Sequence, residues 1–114
     1  MSRQTSALAR AERVLDAFGD PTRRRVFERL RRRTRSVREI ADGMEVSRPA
    51  VSQHLKVLQE AGLVTVRAKG TRRLYSVEPR GIETLRNWLD GFWDEALTAF
   101  KEAAEREAAR ERKR

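Results

Sequence analysis

Apolar residues recur at helical spacing over residues 6–18, where Leu8, Ala11, Val14, Leu15 and Phe18 form a stripe with Arg10, Glu12, Arg13 and Asp16 largely between them. Gly19 ends this first helix. Asp20-Pro21 then supplies an N-cap and a first-turn proline for a second helix, which the pattern carries through about Arg33 with Val26, Phe27 and Leu30 inward. Ser36-Val37-Arg38-Glu39 has the S-x-x-E form of a capping box and predicts a third helix of about two turns, turning Val37, Ile40, Ala41 and Met44 inward. After Gly43-Met44-Glu45-Val46, a fourth helix runs from Ser47 to Ala61. Val51, Leu55 and Leu58 share one of its faces, flanked by Ala50, His54 and Ala61. Ser47 suits the N-cap, Pro49 is tolerated in the first turn, and Gly62 offers the left-handed residue that stops the helix.

Period two replaces period 3.6 after Gly62. Leu63–Ala68 and Arg72–Val77 are short runs rich in β-branched residues, joined by a Lys69-Gly70-Thr71 turn, and predict a two-stranded hairpin. Pro79 opens a last helix from about Arg80 to Ala108, on the order of 40 Å long. Its stripe of Ile82, Leu85, Leu89, Phe92, Ala96 and Ala103 is widened by Trp88, Trp93, Leu97 and Phe100. Beyond Glu102 only exposed ion pairs support the helix, so that end is expected to fray. The expected fold class is mainly α with a small β-hairpin, in the order α-α-α-α-β-β-α, as one domain over residues 1–114. The last stripe is more apolar surface than a monomer of this length readily covers. Together with the first helix it predicts a two-fold interface between copies of the chain through Leu8, Val14, Phe18, Leu85, Leu89, Phe92, Trp93 and Phe100. The competing reading is that the tryptophans cap one subunit's own core.

Charge sharpens this picture. The net charge is +9, with 26 basic residues of which 22 are arginine. Residues 21–73 carry +10 while residues 74–105 carry −4, so the positive charge surrounds the third and fourth helices and the hairpin. A polyanionic partner fits that distribution, and arginine suits phosphate, although an arginine-rich coding bias gives the same count. For Arg23, Arg24, Arg25, Arg29, Arg31, Arg32 and Arg33 on the second helix, a solvated face and phosphate contact both remain open. There is no cysteine, which removes disulfides, thiolate metal sites and thiol switching. The first fifteen residues lack the apolar run of a signal peptide, and no apolar run reaches 18 residues, so a soluble cytoplasmic protein is expected, with no membrane partner.

The side of the fourth helix opposite Val51 and Leu55 carries Arg48, Pro49, Ser52, Gln53, Lys56 and Gln59, with donors and acceptors and almost no acid. A short helix, a brief turn and a polar-faced helix make the helix-turn-helix pattern, in which the second helix enters the major groove. Ser47, Arg48, Pro49, Ser52, Gln53 and Lys56 are therefore the expected major-groove residues, with Gln53 suited to adenine and Arg48 or Lys56 to guanine. A hairpin with a basic tip beside such a helix is a wing, placing Lys69, Thr71, Arg72 and Arg73 against the duplex. Ser36 and Arg38 are assigned to the DNA backbone.

The segments Phe18-Gly19-Asp20-Pro21-Thr22-Arg23, Ser36-Val37-Arg38-Glu39-Ile40-Ala41, Ser47 through Leu58, Ala61-Gly62-Leu63-Val64 and the Gly70–Tyr75 wing together resemble the arsenic-repressor-like (ArsR-type) winged helix-turn-helix regulators, over about residues 14–100. The resemblance implies a homodimer joined through its first and last helices (about 6–18 and 80–108), with a DNA-reading core of about 20–78, acting as a repressor on a near-palindromic operator. Metal-sensing members place cysteines before the turn, or His and acidic ligands on the last helix. This chain has neither cysteine nor a second histidine. Asp90, Asp94 and Glu95 alone would hold a transition metal weakly, so no metal site and no cofactor are expected, and any effector would be a small molecule or a protein. His54 is read as half-buried beside Leu58, with a DNA contact as the alternative. No P-loop, dinucleotide turn or nucleophile elbow is present, so no catalytic residue is assigned. A sequence-tolerant architectural protein is the rival reading. An RNA module would need exposed stacking aromatics on its sheet, which the hairpin lacks.

Overall fold

The computed structural model describes residues 3–113. Five helices and one hairpin follow the expected order: α1 (Arg3–Phe18), α2 (Pro21–Glu28), α3 (Val37–Ala41), α4 (Arg48–Glu60), β1 (Val64–Lys69), β2 (Arg72–Val77) and α5 (Pro79–Arg112). The helix starts are those the side chains dictate. Asp20 caps α2 by accepting from the Arg23 N–H, Ser36 and Glu39 form the reciprocal capping box of α3, and Ser47 accepts from the Ala50 N–H at the start of α4. Gly62 holds the left-handed conformation, φ 76°, just past α4.

The core sits where α1, α2, α3 and α4 meet the base of the hairpin. Val14, Val26, Leu30, Ile40, Val51, Leu55, Leu58, Leu63, Val64 and Tyr75 form one buried cluster, which Leu85 of α5 partly closes. α5 crosses the end of α4 so closely that a Cβ at Gly81 would come within 2.5 Å of the Gly62 carbonyl oxygen; glycine is required by contact there, whatever its φ. From that crossing α5 runs outward for about 50 Å. The radius of gyration is accordingly 20.3 Å, where a compact chain of this length has about 13 Å.

Several boundaries differ from the sequence expectation. α2 stops at Glu28, not at about Arg33. Its last turn tightens through the Leu30 N–H to Phe27 O bond, and Arg35 Nε donates to Arg29 O at 2.7 Å as the chain turns away. Arg35 then pairs through its backbone with Tyr75 of β2, a contact between residues far apart in sequence that local periodicity cannot announce. α3 has five residues, β1 begins one residue later than expected, and the hairpin turn is Gly70-Thr71 because Lys69 and Arg72 form the last rung of the ladder. α5 continues to Arg112 where fraying is expected beyond Glu102.

Candidate nucleic-acid interface

α4 divides as its pattern requires. Val51, Leu55 and Leu58 are fully buried, while Ser47, Arg48, Pro49, Ser52, Gln53, Lys56 and Gln59 are exposed. Ser47 Oγ is taken up by the cap, accepting the Ala50 N–H at 3.2 Å. His54 is half-buried and lies near Asp20. The Arg23 backbone N–H holds the Asp20 carboxyl below its ordinary value, and His54 adds a smaller pull in the same direction.

Of the seven arginines expected on the second helix, Arg23, Arg24 and Arg29 take a course outside both alternatives, while Arg25, Arg31, Arg32 and Arg33 are exposed. Arg23 Nη1 donates to Ala17 O at 3.2 Å and Arg24 donates to Phe18 O, so both satisfy carbonyls at the C-terminus of α1. Arg29 Nη2 does the same for α3, reaching Glu39 O at 3.1 Å and Asp42 O at 2.7 Å. A basic residue near the C-terminal carbonyls of a helix is favoured by their partial negative charge. Only the spatial order of the helices shows which carbonyls those are.

Beside the start of α4, a cleft of about 690 Å³ opens between α3 and the wing. It brings together Ser36 and Arg38 from α3's start, Arg48 from the major-groove set, and Arg72 and Arg73 from the wing. Three groups assigned from separate stretches of sequence thus share one surface. Lys69 and Thr71 stand exposed at the hairpin tip beyond it. Ser36 is almost wholly buried, with Oγ accepting the Glu39 N–H at 3.2 Å, so little of its hydroxyl faces outward.

Glu39, assigned from sequence only to a cap, also lines the cleft, together with Asp42. Arg72 Nη2 donates to Glu39 Oε1 at 2.7 Å and to Ser36 Oγ at 3.4 Å, and Arg33 Nη2 donates to Glu39 Oε2 at 3.2 Å. Bonds from the Ser36 backbone and hydroxyl hold the Glu39 carboxyl below its ordinary value, with Arg72 and Arg33 reinforcing them. No local signal singled it out, since Asp42 and Glu45 follow it at the same three-residue spacing.

The residues expected at a two-fold interface separate into two groups. Val14 is enclosed in this chain's own core and offers no surface to a second copy; Phe18 is half-buried, its ring edge-on to Phe27 at 5.2 Å; and Leu85 packs against the core. Leu8, Leu89, Phe92, Trp93 and Phe100 are exposed, from 44% at Leu8 to 74% at Phe100. Trp88 stacks edge-on against Phe92 at 4.8 Å along α5, so it supports the exposed stripe instead of covering the core. Among the described residues no group of three His, Cys, Asp or Glu is placed to hold a metal, and no helix is long and apolar enough to cross a membrane.

The helix-turn-helix domain family matches residues 18–67. The chain is 48% identical over 96 residues to the HTH-type transcriptional regulator Rv2034 of Mycobacterium tuberculosis, a match covering 84% of this chain and 90% of that protein. It is 30% identical over 79 residues to the transcriptional repressor SdpR of Bacillus subtilis, covering 69% and 88%. Among solved structures, the homodimeric winged helix-turn-helix DNA-binding domain of Mb0332 from Mycobacterium bovis, described as a possible ArsR-family regulator, superposes with a TM-score of 0.67 at 27% identity, covering 85% and 90%.

Proposed function

Because the chain belongs to the ArsR-type winged helix-turn-helix transcriptional regulators, we propose that it is a homodimeric repressor that reads a near-palindromic operator through α4 and responds to no metal ion. The observation that carries this reading is the division of α4: one face wholly buried, the other presenting Arg48, Ser52, Gln53 and Lys56 with no acid among them. A helix fixed that firmly on one side can present base-reading groups at constant depth in a groove. Ser52, Gln53, Arg48 and Lys56 would specify bases, with Ser47 and Pro49 setting the approach of the helix start. Arg38 and the wing residues Lys69, Thr71 and Arg73 would meet phosphates.

Dimerisation is supported by the exposed stripe of α5 with Leu8 of α1, and by the homodimeric state of the M. bovis neighbour. The lack of cysteine and the single histidine support indifference to metal. Such a regulator would work in the cytoplasm. Selection of bound fragments from a random duplex pool tests the proposal: one inverted repeat should be enriched. Retention of the pool without enrichment would favour the architectural alternative. Zinc, cadmium, nickel or arsenite at stoichiometric levels should leave operator affinity unchanged, and a tenfold change reversed by chelator would refute that part.

A further inference from the structure

A two-stranded hairpin has little stability of its own, so what fixes the wing lies outside it. Its base is held by the Arg35–Tyr75 backbone bridge. Its outer half is held by Glu39 of α3, through the 2.7 Å bond from Arg72 on the last rung beside the turn. The carboxylate is itself anchored, because Oε1 also accepts the Ser36 backbone N–H at 3.1 Å and Oε2 takes Arg33 at 3.2 Å. Little further side-chain freedom is lost when Arg72 closes on it. Glu39 and Asp42 both line the cleft, and an acid on a surface suited to phosphate opposes binding; Glu39 is the one that Arg72 and Arg33 engage.

Resting on the DNA-reading assignment above, we infer that Glu39 is a positioning residue of the interface. It holds Arg72, and with it the wing, at a fixed angle to α4, and it keeps Arg72 and Arg33 off the phosphates of non-cognate duplex. Arg72 is thereby a tether, and the wing's phosphate contacts fall to Lys69, Thr71 and Arg73. Glu39 lowers affinity for arbitrary DNA and raises discrimination.

Glu39→Gln separates these roles, because the amide oxygen still accepts the Ser36 N–H while the charge is gone. Full-length protein would be titrated with salt on the selected operator and on random duplex. Affinity for random duplex should rise about threefold or more near 0.1 M salt, the slope of log K against log salt should steepen by about 0.9 per released arginine, and the ratio of operator to random affinity should fall. Arg72→Ala should lower that ratio while leaving the slope at the unmodified value. Added to Glu39→Gln, it should remove about one contact's worth of the slope gained. An unchanged slope and ratio in Glu39→Gln would overturn the inference, as would an Arg72→Ala variant that loses about 0.9 of slope per subunit with its ratio intact, since Arg72 would then be on phosphate. If the unmodified protein enriches no sequence, the DNA-reading proposal fails instead, and the Glu39→Gln slope on random duplex still decides whether the arginines are masked.

Discussion

α4 and α5 are both amphipathic helices with a proline in the first turn, and they differ in what covers the apolar side. α4 is covered from within: Val51, Leu55 and Leu58 have no exposed surface. α5 is covered only near its start, where Gly81 is buried and Leu85 packs on the core. From Leu89 onward, Leu89, Phe92, Trp93, Leu97 and Phe100 each leave about half or more of their surface open. A contiguous apolar stripe of this kind marks an interaction surface, since apolar area left in water forgoes about 25 cal/mol for each Å². The chain completes the helix proposed to read DNA and leaves the proposed assembly helix incomplete.

The largest expected effect tests the incomplete helix. Leu89→Glu combined with Phe92→Glu should convert the protein to a monomer by sedimentation and weaken operator binding by about 10²-fold or more, the gain that two linked half-sites provide. A monomeric unmodified protein at micromolar concentration would break the comparison at once. Next comes the completed helix: Leu55→Ala should destabilise the fold by about 2–5 kcal/mol in urea titrations, because the surrounding helices cannot close the cavity. A loss below 1 kcal/mol would mean that the α4 face is less tightly enclosed than Leu55's burial indicates. Smaller still, Gln53→Ala should cost about 1–3 kcal/mol on the preferred operator and much less on random duplex, with thermal stability unchanged. Equal losses on both duplexes would remove Gln53 from base reading.

The smallest effect is electrostatic and concerns the caps of α2 and α3, which hold α4 from below. Asp20 and Glu39 both have folded-state values lowered from the ordinary ones, so they bind protons less readily folded than unfolded. Their contribution is therefore present above the ordinary carboxylate range and is lost as pH falls through the lowered values. The melting temperature should decline below about pH 4, and more shallowly in Glu39→Gln. An identical acid profile in that variant would show that Glu39 contributes nothing to it.

Most of the fold was legible because its signals are local. Ser36 with Glu39, Ser47 with Pro49, and Gly62 each fix a helix end within a few residues, and the stripe of α4 needs only its own spacing. What was hidden depends on residues distant in sequence. α2 ends early because Arg35 is needed beside Tyr75, Val14 faces inward because of how its neighbours pack, and Arg72 meets an acid 33 positions before it. The candidate reading face of α4 is legible for the same reason as its core face, since one period sets both. The cleft next to it was not, because it exists only once α3 and the wing are side by side.

The close crossing at Gly62 and Gly81 gives α5 a mechanical meaning. At Gly81 the backbone of α5 lies against the Gly62 carbonyl just past α4, with the Leu63 side chain alongside, so a larger residue at Gly81 would have to push the two segments apart. α5 is an arm of about 50 Å that leaves the core beside this contact, where it packs chiefly on α1. A load on that outer arm would therefore reach the core through α1 and the Gly62 contact.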